Sequence, residues 1–385
     1  MRFLHTADWH LGRQFHAKSL LEDQAHILDQ LVALAVSEKV DAVLIAGDIY
    51  DRAVPPADAV SLLDDVLSRL VVGAGIPVIV IAGNHDSAER IGFGGRIFQK
   101  QGLTLRGPLG GFAPVVLQDS LGTVVAVHAL PYVEPAFARD LPGAETATDH
   151  QSAMTHVVGM LRAQFVPGQR NLLLAHAFVA GGTESESERP LSVGGSGQVV
   201  PATFDGFDFV ALGHLHRPQS VAVDHIQYSG SLLKYSFSEV SHVKSVSLVD
   251  IGPDAPPVVR RVSLSPRRDA RIVTGTLAEL LARSDPHLPR DDYLRADLTD
   301  TDPVLDPMSR LREVYPNMLE MQFTAAGPRL DATARAAGDH RRREPADLFR
   351  AFYRDVAGED IADAALEVFN ATAQSVLGGA EGAAR

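Results

Sequence analysis

Arg2-Phe3-Leu4-His5-Thr6-Ala7-Asp8-Trp9-His10 is an apolar run that ends on a carboxylate and an imidazole two positions apart. Arg2 to Thr6 reads as a buried strand, and the same arrangement recurs along the chain. Asp41 to Ala46 leads into Gly47-Asp48, and Pro77 to Ala82 leads into Gly83-Asn84-His85-Asp86. Asn171 to Ala175 ends on His176, and Phe207 to Leu212 leads into Gly213-His214-Leu215-His216. Open α/β sheets carry their sites at the carboxyl ends of such strands. One block alone could be an ordinary turn or a structural histidine. All of them in this order define a fold and a site together.

Composition narrows the class. At 385 residues the chain holds material for several domains and a sizeable core. Cysteine is absent, which excludes disulfides and thiolate metal ligands. No apolar signal-peptide core follows Met1, and no stretch approaches the ~18 apolar residues of a membrane span. The expectation is a cytoplasmic protein with no membrane contact. A net charge of −13 argues against nucleic-acid binding through bulk positive charge. It leaves only local basic surfaces, such as Arg260, Arg261, Arg267, Arg268 and Arg271, which either meet phosphates or line a solvated strand edge.

Strand and helix patterns alternate from residue 1 to 265. Ser19 to Lys39 and Pro56 to Leu70 have helical spacing, and a further helix is expected at Thr148 to Gln164. Pro114 to Gln118, Thr123 to His128, Val243 to Ile251 and Val258 to Leu264 read as strands. The order fits an α/β domain of two mixed β-sheets packed face to face and flanked by helices. Gly181 to Gly197 is a polar loop, either a surface excursion or a rim of the site. A small β-α-β-α-β module follows over 266–326, then an Ala/Gly/Arg-rich linker over 327–345. Two amphipathic helices are expected within 346–378, and helices that short dock on something.

The recurring side chains form a coherent set. Hydrolysing a phosphodiester needs a strong nucleophile at neutral pH and neutralisation of the phosphoryl oxygens, and a pair of cations supplies both. The candidate ligands are Asp8, His10, Asp48, Asn84, His176, His214 and His216. Asp48 is the expected bridging carboxylate. Asp8 and His10, two apart on extended chain, are expected to share a face and reach one metal; His214 and His216 share that spacing, though at a bend they could serve different metals. Imidazole ligands favour manganese, with iron as an alternative and magnesium disfavoured. His85 is the candidate general acid for the leaving alkoxide. His5, His128, His225 and His242 read as structural.

These motifs resemble the calcineurin-like metallophosphoesterase superfamily and, within it, the nuclease subunits of bacterial SbcCD complexes. The resemblance rests on residues 5–12, 47–51, 83–87, 184–189, 193–195, 211–216, 228–231 and 347–353, and so covers nearly the whole chain. It implies that Asp8, His10, Asp48 and His216 hold one manganese, and that Asp48, Asn84, His176 and His214 hold the other. Asp51 stands where archaeal relatives carry a second catalytic histidine, and either orients His85 or joins in proton transfer. The likeness further implies a nucleoid-associated homodimer that forms a heterotetramer with the coiled-coil ATPase SbcC. It implies exonuclease action on double-stranded DNA ends and endonuclease action on hairpins and single strands, in DNA replication, recombination and repair. Residues 266–326 would then cap the site and recognise DNA, and 346–378 would dock the ATPase. The chain has no Gly-x-x-x-x-Gly-Lys-Ser/Thr loop, so ATP would act on another subunit. The alternatives are a phosphatase or nucleotide hydrolase on the same fold, or a scaffold without metals. The first has no need of the extra module, and the second has no need of the complete ligand set.

Overall fold

β1 (Arg2–Thr6), β2 (Ala42–Ala46), β3 (Val78–Ile81) and β4 (Leu103–Arg106) lie side by side and parallel in the computed structural model. The structure describes residues 1–188, 191, 197–282, 289–302, 304–324, 346, 349–350, 353–354, 360–370 and 372. The expected linker 327–345 lies outside these residues, as do Arg189, Val193, Gly194, Gly195, Leu348 and Phe352.

A second sheet contains β5 (Val115–Gln118), β6 (Val124–Leu130), β7 (Arg170–His176), β8 (Phe209–Gly213), β9 (Gln219–Val221) and β10 (Val223–Tyr228). β6, β7, β8 and β10 run parallel, with β5 and β9 antiparallel at the edges. The chain returns to the first sheet through β11 (Ser245–Asp250) and β12 (Val258–Ser263), which add antiparallel beside β1. The two six-stranded orders are β12-β11-β1-β2-β3-β4 and β9-β10-β8-β7-β6-β5. Both sheets are therefore mixed, as expected. β4 was not anticipated, because Leu103-Thr104-Leu105-Arg106 is short and only half-buried at an edge.

The sheets meet face to face through Phe3, Leu44, Ile79 and Ile81 on one side and Val127, Leu172, Leu174 and Phe209 on the other. All are at most 1% exposed, and burying such a side chain is worth about 1.5–3 kcal/mol. Strands covered on both faces lose the polar/apolar alternation, so β2 reads Ala-Val-Leu-Ile-Ala and is buried throughout. α1 (Leu21–Ser37) covers the outer face of the first sheet with Ile27, Leu28, Leu31 and Ala35, and Glu22 and Asp23 suit its N-terminal dipole. α2 (Ala57–Ser68) packs on the same face and ends in one π-turn over Arg69–Gly73. α3 (His150–Arg162) covers the second sheet and starts with a capping box between Asp149 and Ser152.

β13 (Ala270–Gly275), β14 (Tyr293–Leu298) and β15 (Met318–Phe323) form a three-stranded sheet in that order, with α4 (Leu277–Ala282) and α5 (Pro307–Val314) between them. These elements match the expected β-α-β-α-β module closely. By compactness, however, one unit comprises Met1–Val273, Ser284–Ala296 and Leu311–Glu320, and the other Thr274–Arg283, Asp297–Arg310 and Met321–Arg385. The expected boundary at 265/266 does not coincide with this division. Ala270, Tyr293 and Leu319 pack in the same apolar cluster as Phe15, Leu20 and Phe237, which draws them into the larger unit. Within the smaller unit, the Phe349 ring stacks on Phe369 at 3.9 Å between centroids, and Leu366 is buried. No described helix is long and apolar enough to cross a membrane.

Candidate metal centre

The parallel strands of both sheets bring their carboxyl ends to one edge. Asp8, His10, Asp48, Asn84 and His85 follow β1, β2 and β3, while His176 ends β7 and His214 and His216 follow β8. Extended-strand spacing was expected to align Asp8 with His10. The structure corrects this: Asp8, His10, Asp48 and His214 have φ of 54°, 44°, 50° and 109°. They lie in left-handed turns past the strand ends, where Asp and His are tolerated better than most residues. Such conformations cost about 1–3 kcal/mol each and persist only where the surroundings over-determine them. Here Asp8 N–H donates to Gly47 O (3.1 Å), His10 N–H to Asp48 O (2.9 Å), and His214 N–H to Asp8 Oδ1 (2.9 Å).

Two glycines permit the convergence. A Cβ on Gly83 would lie 2.2 Å from Asp48 Oδ1, and one on Gly213 would lie 1.9 Å from Ala46 O. The residues preceding Asn84 and His214 must therefore lack a side chain for the strand ends to touch.

Around Asp48 Oδ2 lie His10 Nε2 (3.6 Å), His176 Nε2 (3.6 Å) and His85 Nε2 (4.0 Å). His176 Nε2 is 2.9 Å from Asn84 Oδ1, and His10 Nε2 is 3.1 Å from His216 Nε2. The ligand atoms of Asp8, Asp48 and His176 fall within 4.8 Å of one another, as do those of His10, Asp51 and His85. Burial, helped by the neighbouring rings, holds His10 and His214 well below the usual imidazole range, and burial also lowers His176 and His216. Neutral imidazoles are the form that binds metal. Burial and the nearby Asp48 push Asp8 well up. Asp8 Oδ2 and His10 Nδ1 are buried with no hydrogen-bond partner. Crowded carboxylates and unpartnered buried donors are costly alone and suit divalent cations. The donor set fits metal.

Supporting bonds aim the rings. His176 Nδ1–H donates to Ala46 O (2.8 Å), which leaves Nε2 as the free donor atom. His85 Nδ1 donates to the backbone carbonyl of Asp51 (2.9 Å), and its ring is 14% exposed at the edge of the cluster. The Asp51 carboxylate turns elsewhere, to Arg13 Nη1 (3.2 Å) and His10 Nδ1 (3.7 Å). Contact between Asp51 and His85 thus runs through the main chain. Asp86, in the quoted Gly-Asn-His-Asp block but assigned no role, accepts from the backbone N–H groups of Ile49, Tyr50 and Gly83. It ties the turns carrying Asp48 and Asn84 together. Glu239 and Lys244, buried beneath His216, carried no local signal and were missed.

The arginines expected to meet phosphates are engaged within the protein. Arg260 pairs with Glu38, Arg267 with Glu22, Arg268 with Asp23 and Arg271 with Asp292, while Arg261 donates to Gln227. The charge of the four ion-paired arginines is compensated by acidic residues distant in sequence, so the run of arginines is a paired surface. His5 and His128 are structural as expected, bonded to Leu212 O and Asn171 Oδ1.

Residues 1–218 match the calcineurin-like phosphoesterase family, and residues 266–357 match the type 5 capsule protein repressor C-terminal domain. The chain is 37% identical over 325 residues to the SbcD subunit of the SbcCD nuclease of Staphylococcus saprophyticus, covering 83% of this chain and 84% of that one. Among solved structures it is similar to TT1561 of Thermus thermophilus, at a TM-score of 0.40 and 14% identity, over 68% of this chain and 98% of that one. It is also similar to a dimetal phosphatase from Danio rerio, at a TM-score of 0.40 and 12% identity, over 69% and 98% of the two chains. With the first family spanning more than half its length and a relative of such identity spanning most of it, the chain belongs to the calcineurin-like phosphoesterases and, within them, to the SbcD family of nuclease subunits.

Proposed function

We propose that this chain is a metal-dependent phosphodiesterase that cuts DNA as the nuclease subunit of a complex with an SbcC-type ATPase. One observation carries the reading: buried carboxylates and neutral imidazoles from both sheets converge around Asp48 in a chain whose relative is named as a nuclease subunit. Asp8, His10, Asp48 and His216 would hold one cation and Asp48, Asn84, His176 and His214 the other. Manganese is the best match to imidazole-rich donors, with iron next. Bound divalent cations supply Lewis acidity, which acidifies water and neutralises phosphate charge.

The chain's own groups do the rest. Asp48 shares its carboxylate between the two halves of the cluster, and Asn84 adds a neutral oxygen donor, limiting the negative charge that faces a phosphate. His85, held through Nδ1, presents Nε2 to the cluster and passes a proton to the leaving oxygen. Asp51 is a positioning residue, its carbonyl holding His85 and its carboxylate turned toward His10 and Arg13. Residues 266–326 act as a capping and DNA-recognition module, and 346–378 dock the ATPase. Double-strand exonuclease and single-strand and hairpin endonuclease activities, a homodimer and a heterotetramer with the ATPase complete the proposal.

The test is manganese-dependent hydrolysis of a chromogenic diester, a phosphomonoester and plasmid DNA. Cleavage of the diester and the DNA is expected. Hydrolysis of the monoester alone would replace the nuclease reading with a phosphatase.

A further inference from the structure

The polar loop after His176 and the segment after Tyr228 both reach His216 from the side away from the cluster. His216 Nδ1 lies 2.6 Å from Ser187 Oγ and 3.4 Å from Glu239 Oε1, and the Ser187 hydroxyl also contacts Glu239 Oε1. Glu239 is fully buried and its second oxygen accepts from Lys244 Nζ. The remaining Lys244 protons go to His216 O (2.8 Å) and Ser231 Oγ (2.7 Å). Glu188 Oε1 accepts from the His216 backbone N–H (2.5 Å).

Only one arrangement of protons satisfies this chain. An ionised carboxylate only accepts and a hydroxyl has a single proton to give. Ser187 therefore donates to Glu239 and accepts from His216 Nδ1–H. His216 must then carry its proton on Nδ1, leaving the Nε2 lone pair turned toward His10 Nε2, 3.1 Å away. Outer partners of this kind fix the tautomer and direction of a metal-binding histidine.

We propose that Ser187 and Glu239 are positioning residues for His216, so that the loop carrying Ser187 sets the cation affinity of the half-site made by Asp8, His10, Asp48 and His216. The inference rests on the metal-site reading above and assigns that loop a role in assembling the site. The other half-site has an anchor of its own, His176 Nδ1 on Ala46 O (2.8 Å).

The experiment titrates full-length, metal-stripped wild type, Ser187→Ala and Ser187→Thr with Mn²⁺ alone, following free Mn²⁺ by electron paramagnetic resonance. Wild type takes up a pair of ions. Ser187→Ala weakens one of these binding steps by about 10–100-fold and leaves the other unchanged. Ser187→Thr, which keeps the hydroxyl, restores it. Wild-type affinity for both ions in Ser187→Ala, equal weakening of both steps, or failure of the threonine to rescue would each overturn the proposal. A wild type that takes up no Mn²⁺ would instead refute the metal-site reading itself.

Discussion

Gly83→Ala tests the close packing of strand ends on which the site depends. The added Cβ would lie 2.2 Å from Asp48 Oδ1, 2.3 Å from Asp48 N and 2.9 Å from Asp48 Cγ. Ordinary carbon contacts lie about 3.5–4.0 Å apart, so Asp48 must retreat by more than about 1 Å. It has nowhere soft to go. Its carbonyl is bonded to His10 N–H and its carboxylate to His85 N–H, both at 2.9 Å. Overpacking of this kind costs about 1–3 kcal/mol of stability. A 1 Å displacement of a group that positions reactants costs about 10²-fold in rate. The expected outcome is a folded protein of lowered melting temperature, with kcat on a chromogenic diester down about 10²-fold at saturating manganese. Gly159→Ala is the control: Gly159 is exposed on α3 with nothing within 4 Å of its Cβ position. That change should gain about 0.5–1 kcal/mol and leave kcat alone. A Gly83→Ala protein with wild-type kcat and melting temperature would refute the steric account.

Asp48→Ala or His176→Ala should abolish hydrolysis and weaken manganese binding, whereas His85→Gln should lose about 10²–10⁴-fold in rate and keep its manganese by elemental analysis. Loss of the metal from His85→Gln would show that His85 is a ligand. In metal-free protein, burial keeps His5, His10, His176, His214 and His216 below the usual imidazole range. The unfolded chain protonates them near about 6.5, so stability is full above that pH and is lost as the pH falls through it. Asp8, Asp86 and Glu188, all pushed up chiefly by burial, act in the opposite sense but are fewer. Urea midpoints in chelator should therefore be lower at about pH 5 than at about pH 7.5, and the reverse order would refute this balance. Truncation before Ala346 should leave manganese-dependent diester cleavage intact and remove capture of SbcC; undiminished capture would end the docking assignment.

Strand and helix patterning is local, and so is the habit of ending a buried strand on a polar side chain. The sequence by itself therefore determined the two-sheet architecture, the chain order of the strands that bear the site, the polar side chains at their ends and the β-α-β-α-β pattern that follows. Tertiary structure decided what depends on partners distant in the chain. Asp8 and His10 meet the cluster through left-handed turns held by Gly47 and Asp48, which no alternation pattern reports. Asp51 turns its carboxylate to Arg13 and its carbonyl to His85, a choice between main chain and side chain that residue type cannot settle. The arginines near 260–271 read in the sequence either as a phosphate-binding face or as a solvated strand edge, and only the folded chain shows that Glu22, Asp23, Glu38 and Asp292 pair with four of them. Glu239 and Lys244 read as ordinary polar residues, and only their burial against His216 gives them a role. Periodicity registers which face of an element is apolar; the pairing of buried charges is set by where the elements pack, and that information exists only in the folded chain.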